Sequence, residues 1–312
     1  MQLIRGQHNL HNRIDHCVVT LGNFDGVHHG HQKLIQCLQD EGLRLQLPTA
    51  LITFEPQPVE FFSKQPTVPR LMRLSEKWAA LEEYQIDYLI CLRFNSTLAA
   101  LSPDAFVSTI LIEHLGVKSV IVGDDFRFGA KRAGDFSVLQ TLSERYDFKA
   151  IEVPEVVVKE KRVSSSRIRL ALQEGHMILA EQLLGRPYQL SGKVIHGDKR
   201  GRQLGFPTAN INLHRKLLPV NGVFAVRVKG LGDASLPGVA SIGTRPMFDG
   251  DQLLLEVFLF DFDQDIYGEN LRVDIFGKIR DEACFSSIDE LISHMHQDVK
   301  AAKQILLNKF PA

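Results

Sequence analysis

Three of the four residues at positions 28–31 are histidines. His28, His29 and His31 close the run Gly22-Asn23-Phe24-Asp25-Gly26-Val27-His28-His29-Gly30-His31. Imidazoles three apart share a face once a helix has begun. The glycines Gly22 and Gly30 let backbone amides approach a phosphate at a helix N-terminus, where the potential is positive. Two imidazole donors there, His28 and His31, can stabilise charge growing on transferring phosphate oxygens; a histidine cluster of this density could also bind metal. A second group follows far along the chain. Ser164, Ser165 and Ser166 stand before an apolar-periodic stretch, Ile168 to Leu172, that ends at Gly175. Serines cap helices well, and their hydroxyls with the first free amides can hold β- and γ-phosphates. Arg162 and Arg169 would add charge-assisted contacts. A capped surface helix is the plainer reading of the same residues.

A third group is glycine-rich. Gly192, Gly197, Gly201 and Gly205 punctuate a run that carries Lys199 and Arg202 and ends in Pro207-Thr208-Ala209-Asn210. It is neither a Walker A loop nor a GxGxxG fingerprint. Thr208 and Asn210, two apart on an extended segment, project to one side. A hydroxyl and an amide carbonyl there make hard oxygen ligands suited to Mg2+. An ordinary barrel loop explains these residues as well. Glu256 shares a strand face with Leu254 and Phe258, which predicts a carboxylate in costly apolar surroundings. Such a group would be a general base with a raised pKa, or else a barrel-end Glu paired with a basic neighbour. Glu269 competes for the role, but its Tyr267-Gly268-Glu269-Asn270 context reads as a turn.

The elements that must position these groups follow from pattern. A chain of 312 residues has room for two domains. Its 44% hydrophobic and 23% charged residues suit a protein with a buried core. Lys and Arg total 36 against 37 Asp and Glu, a net charge of -1 that argues against a dedicated nucleic-acid binder. No apolar stretch approaches the 18 or so residues that span a bilayer, and the polar N-terminal segment lacks the apolar core of a signal peptide. Cys17, Cys37, Cys91 and Cys284 form no CxxC, which disfavours zinc or a disulfide framework and predicts a reducing, cytoplasmic setting. No obligatory protein partner is evident.

Strand-like and helix-like segments alternate over the first 185 residues. A short β-branched run at 17–21 and short apolar runs at 50–54, 88–92 and 119–122 read as buried strands. Helices are expected from about Gly30 to Glu41, from a cap at Ser75 to about Tyr84, and from Ser102-Pro103 to Gly116. This rhythm predicts an α/β fold with a Rossmann-like parallel sheet. Its loops at Gly22 and Gly123 lie together beyond the carboxyl ends of the strands. After Gly185 the pattern changes to short alternating strands at 188–196, 222–230, 236–242, 252–260 and 270–279. A small antiparallel β-barrel is expected, followed by a helix from about Ser287 to Leu307. The predicted domains are 1–185 and 186–312. Within the second, residues 191–230 hold eight bases and one acid, and 251–290 hold eleven acids and three bases. Either two solvated faces compensate each other, or a phosphate-binding side faces a carboxylate side.

The string Gly22 to His31 resembles the HxGH nucleotidyltransferase superfamily. Arg162-Val163-Ser164-Ser165-Ser166-Arg167-Ile168-Arg169 is similar to its SSTxIR element. Gly123-Asp124-Asp125-Phe126-Arg127-Phe128-Gly129-Ala130-Lys131-Arg132-Ala133-Gly134 and Thr53-Phe54-Glu55-Pro56 resemble the FMN adenylyltransferase branch. Gly201 to Asn210 looks like the riboflavin kinase signature with its PTAN element. The two together resemble the prokaryotic bifunctional riboflavin kinase/FAD synthetase family, and the likeness runs over nearly the whole chain. Three positions depart from the pattern: Ser166 replaces threonine, Asp125 asparagine and Gln57 histidine.

The resemblance implies an adenylyltransferase domain over 1–185 and a kinase domain over 186–312. It implies ATP as co-substrate, Mg2+ as cofactor, and riboflavin and FMN as substrates. Glu256, His28 and His31 are the implied catalytic residues. Gly22, Phe24, Asp25, Gly30, Asp125, Arg162, Ser164, Ser165, Ser166 and Arg169 would bind nucleotide or flavin in the first domain. Gly192, Lys199, Gly201, Gly205, Thr208 and Asn210 would do so in the second, with Thr208 and Asn210 on the metal. Two other readings stand beside it: a chain in which only the kinase half is fully active, and a flavin or nucleotide sensor without turnover.

Overall fold

A computed structural model describes residues 1–10, 14–63, 68–197, 201, 204–247 and 250–310. The chain divides into two compact units, one of Met1–Val68 with Met72–Ser164, the other of Pro69–Leu71 with Ser165–Ala312. The division expected near 185 falls inside the second.

The first unit is built on six parallel-paired strands: β1 (Gln2–Arg5), β2 (Cys17–Leu21), β3 (Thr49–Glu55), β4 (Tyr88–Arg93), β5 (Val117–Gly123) and β6 (Lys149–Val153), in the order β1-β4-β3-β2-β5-β6. All five residues of β2 are buried, as a central strand covered on both faces requires. Cys17, Val19 and Leu21 join one core with Ile110, Val120 and Leu139. Val18 and Thr20 alternate to the opposite face. Strand order reverses between β2 and β5, so the loops after Leu21 and Gly123 are neighbours, as the β-α rhythm predicts.

The helices of this unit start from sequence signals, with three differences. Helix α1 covers His29–Leu45, longer than expected, and ends where Gln46 turns left-handed at φ 56. Helix α2 (Pro58–Phe62) has Gln57 as its N-cap. Helix α3 (Leu74–Glu82) is capped by Arg73, whose backbone N–H donates to Glu76 at 2.7 Å, so Ser75 lies in the first turn rather than before it. Helix α4 is Ser96–Ala99, and α5 (Pro103–Phe106) begins on the expected Ser102 cap. The latter runs into a π-helical stretch, Val107–Glu113, which pattern did not announce. Helix α6 spans Phe136–Tyr146. A two-stranded hairpin, β7 (Val157–Val158) and β8 (Lys161–Arg162), completes the unit.

The second unit opens with α7 (Ser165–Gln173) and α8 (Met177–Leu184), the latter packed on β9 and β14 of a closed antiparallel barrel. The barrel strands are β9 (Tyr188–Ile195), β10 (Thr208–Asn212), β11 (Gly222–Lys229), β12 (Leu236–Met247), β13 (Gly250–Leu259) and β14 (Asn270–Arg280). Around the barrel their order is β10-β13-β12-β11-β14-β9. Leu190, Ile211, Ile242, Leu255, Val257 and Val273 are fully buried and fill it. Helix α9 (Ile288–Lys309), capped by Ser287, sets Ala302 and Leu306 against Ala225 and Phe260. Two hydrogen bonds from Arg280 to Asp298, at 2.9 and 2.8 Å, fix it to β14.

Candidate active sites

The glycine–histidine run forms the turn between β2 and α1. His28 is the N-cap of α1, and its Nδ1 accepts from the backbone N–H of His31 at 3.3 Å. The rings of His28 and His31 stack, with centroids 3.6 Å apart and planes 14° from parallel. Phe24, fully buried, sets its ring 4.9 Å from His31. A Cβ on Gly30 would press on the His28 ring at 3.2 Å, so a larger residue there would push the ring aside by a few tenths of an ångström. A Cβ on Gly22 would crowd the Phe24 ring in the same way, at 3.1 Å. The loop is strained, since Phe24 and Val27 take φ 47 and 42 without being glycine. Asp25, buried to 1%, accepts from the N–H of Met72 at 2.9 Å and so anchors the loop.

Arg162 and Asp125 are brought together. The Arg162 Nη2 lies 2.6 Å from Asp124 and 2.9 Å from Asp125, and Nη1 lies 3.7 Å from Glu155. Its guanidinium is thus surrounded by three carboxylates, of which sequence reasoning had singled out one. Ser164 is the last residue of the first unit, and Ser165 and Ser166 open α7 in the second. Arg169 uses its Nε to hold the carbonyl of Pro69 at 2.7 Å.

At the carboxyl end of β3 a group that sequence reading missed comes to the surface. Phe54, Phe61, Phe62 and Phe94 meet edge to face at 5.2 to 5.8 Å, and Phe62 remains 69% exposed. An exposed aromatic cluster at that end of a parallel sheet is a feature of ligand sites.

In the barrel the candidate residues are set by register. Asn210 on β10 pairs directly with Glu256 on β13, which pairs on its other side with Ser241 on β12. Directly opposed residues of antiparallel strands share a face, so these three form one row. Thr208 lies on the same side of β10, opposite Phe258. Glu256 shares a face of β13 with Leu254 and Phe258, as expected, and that face is the outer one: the three are half-buried, while Leu255, Val257 and Leu259 point inward. Phe206 packs edge-on against Phe258 at 5.2 Å and against His296 of α9 at 5.0 Å. Asn210 is 8% exposed, and a Cβ on Gly197 would collide with its amide. Gly192 lies in β9 beside the carbonyl of Asn212, Gly201 beside that of Phe206, and Gly205 turns at φ 83. Lys199 and Arg202 lie outside the described residues.

Three bases of the basic strip have structural partners. Lys229 pairs with buried Asp274 at 2.8 Å, Arg227 donates to Ser235 at 2.8 Å, and Arg215 holds the carbonyl of Arg70 at 2.9 Å. One acid stands out. Glu282 sits against Gly243, where a Cβ would occupy its carboxylate, and its pKa is raised by burial, with Arg280 opposing and the charge of Glu256 adding. Nothing in the sequence pattern singled it out, because the loop that carries it is remote from Glu256 along the chain.

The first unit thus carries a glycine–histidine turn at the end of a parallel-sheet strand, and the second a polar row across a closed barrel beside a glycine turn. A sequence profile for FAD synthetase matches residues 10–167, and one for riboflavin kinase matches 184–306. The bifunctional riboflavin kinase/FMN adenylyltransferase of Escherichia coli K12 is 48% identical over 97% of both chains, and that of Haemophilus influenzae is 45% identical over 97% of this chain and 98% of its own. A crystal structure from Streptococcus pneumoniae, described as a macrolide-efflux protein, superposes with a TM-score of 0.85 at 32% identity. It covers 97% of this chain and 99% of the streptococcal one. The chain belongs to the bifunctional riboflavin kinase/FMN adenylyltransferase family. It is an enzyme of phosphoryl and adenylyl transfer that makes FMN from riboflavin and FAD from FMN with ATP. Among the described residues, no helix is long and apolar enough to cross a membrane.

Proposed function

We propose that adenylyl transfer is carried by the β2–α1 turn of the first unit and riboflavin phosphorylation by the polar row of the barrel. The observation that carries the second assignment is the direct pairing of Asn210 with Glu256, which puts an amide and a carboxylate side by side on one face. Glu256 would accept the proton of the terminal ribityl hydroxyl as that oxygen attacks the γ-phosphate of ATP, since a hydroxyl is a poor nucleophile at neutral pH. The donor set at Thr208 and Asn210 fits a hard divalent cation: a hydroxyl and an amide oxygen, with the amide buried and glycine beside it. Thr208 and Asn210 would hold Mg2+, which when bound neutralises charge on the phosphates.

In the first unit the nucleophile is the FMN phosphate, largely dianionic at pH 7 with a second pKa of about 6. It needs orientation rather than a base. His28 and His31 would donate to the oxygens of the α-phosphate as charge builds there, Gly22 and Gly30 would let the chain approach, and Ser164 and Arg162 would bind phosphate. The exposed Phe61 and Phe62 offer an apolar face for the flavin ring. We place the enzyme in the cytoplasm, with its small-molecule substrates as sufficient partners.

The deciding experiment assays Glu256→Gln and His31→Ala for both reactions by chromatography of flavins. Loss of both activities from either folded variant would sink the assignment. We also propose that residues 186–312 suffice for the kinase. A fragment of 165–312, which keeps α7 and α8, should be more stable than 186–312, and both should phosphorylate riboflavin; an inactive but folded 186–312 would move the functional boundary upstream.

A further inference from the structure

Lys77 belongs to the run Leu74-Ser75-Glu76-Lys77-Trp78 at the start of α3, and only 2% of it is exposed. An ammonium loses its hydration in such a place and must be given acceptors, so lysine is seldom found there. Methionine would fill the same volume without that cost. The charged end has a definite use. Its Nζ donates to the carbonyl of Asn23 at 2.5 Å and to Oγ1 of Thr53 at 3.1 Å, and the threonine hydroxyl donates to the same carbonyl at 3.3 Å.

Asn23 is the second residue of the glycine–histidine turn. Its neighbour Phe24 sits at φ 47, a conformation that persists only where the surroundings hold it. Phe24 packs on His31, and His31 stacks on His28. Contacts therefore lead from the ammonium through the Asn23 carbonyl to Phe24 and on to both imidazoles. The other side of the turn is gripped from the same place in the chain, because Asp25 accepts from Met72, two residues before α3.

We propose that Lys77 is a positioning residue for adenylyl transfer: it pins the Asn23 carbonyl and thereby sets the strained turn that aims His28 and His31. The inference rests on reading those histidines as the adenylyl-transfer site. It is tested in the full-length chain by Lys77→Met, with FMN and ATP as substrates. The kcat for FAD formation should fall about 30- to 100-fold, with KM for FMN and ATP changed less than about threefold, since misplaced donors weaken the transition state more than binding. Riboflavin phosphorylation by the same chain should stay within about twofold. Emission of Trp78, the single tryptophan of the chain, should be unchanged, showing that α3 remains docked. Lys77→Arg, which keeps a charged donor, should recover part of the kcat.

Retention of FAD formation within about threefold in Lys77→Met overturns the proposal. Should that variant lose kinase activity as well, or shift Trp78 emission, Thr53→Val decides, because it removes only the hydroxyl between ammonium and carbonyl. A fall in kcat of about three- to tenfold then supports the proposal, and an unchanged kcat overturns it. His31→Ala, run alongside, separates the two levels. If it leaves FAD formation intact, the site reading has failed and the proposal with it. If it abolishes FAD formation while Lys77→Met does not, only the role of Lys77 is lost.

Discussion

In the first unit, the stacked imidazoles of His28 and His31 hang on one turn bent into left-handed conformations at Phe24 and Val27. In the barrel, Ser241, Glu256 and Asn210 come from three strands, and the pairing of those strands alone lines them up. A turn of that kind has to be held from outside, and Asp25 with Met72, Lys77 with Asn23, and the missing Cβ of Gly30 do this. A row across a sheet inherits its order from the whole barrel. The proposed chemistry differs in parallel. A charged phosphate nucleophile calls for donors at set positions, the role proposed for the stacked histidine pair; a neutral hydroxyl calls for a base, the role proposed for the half-buried Glu256.

The contrast breaks most visibly at Glu256. Glu256→Gln should slow riboflavin phosphorylation by about a thousandfold, within the range of general-base removal, and leave conversion of added FMN to FAD unchanged in a flavin chromatogram. His31→Ala should do the converse, with a loss of about a hundredfold in FAD formation and FMN accumulating from riboflavin and ATP. If the two variants gave the same product pattern, the sites would not be separate. A smaller effect is expected at Gly197→Ala, where the new methyl displaces the Asn210 amide. Steady-state kinetics should show the kinase KM for ATP raised about tenfold and adenylylation untouched.

The smallest effect concerns stability rather than either reaction. Arg44 makes hydrogen bonds of 2.7 and 2.8 Å to Glu41, which, against the opposing effect of burial and with help from Ser119 and Lys149, hold its carboxyl near a pKa of about 2. A carboxyl held below its unfolded value of 4.5 stabilises the fold above that pH, and the benefit disappears as pH falls from about 4.5 towards 2. Arg44 and Lys149 are half-exposed, so solvent screening trims the effect. Glu41→Gln should therefore cost about 1 to 2 kcal/mol at pH 7 and almost nothing at pH 2 in denaturant titrations. Equal losses at both pH values would remove the ion-pair explanation.

Much of the fold could be read from the chain. The buried strands β2 to β5 announce themselves as short apolar runs, Ser102-Pro103 and Ser287 mark helix starts, and five barrel strands fall within a few residues of the ranges expected. The edge strands β1 and β6 did not, because Gln2–Arg5 and Lys149–Val153 mix charged and apolar residues in runs too short to show a period. The π-helical turn after Phe106 has no sequence signature at all. Among candidate site residues, His28, His31, Thr208, Asn210 and Glu256 stand out in the sequence by type and spacing, whereas Lys77, Asp124, Glu155 and Glu282 look there like ordinary surface charges.

The sequence by itself determined which residue types were available and along which elements they repeat, since local periodicity, capping and turn preferences act over a few neighbours. It also carried the near-neutral charge sum of 36 against 37. Only the tertiary structure decided where those charges are spent. Lys77 lies under the histidine turn instead of in water, Arg215, Arg227 and Lys229 hold carbonyls, a serine and Asp274, and Glu256 stands on the outer face of the barrel beside Asn210. The physical reason is that strand order, register and burial are settled by contacts between residues far apart in the chain, and those contacts give a charged group its surroundings.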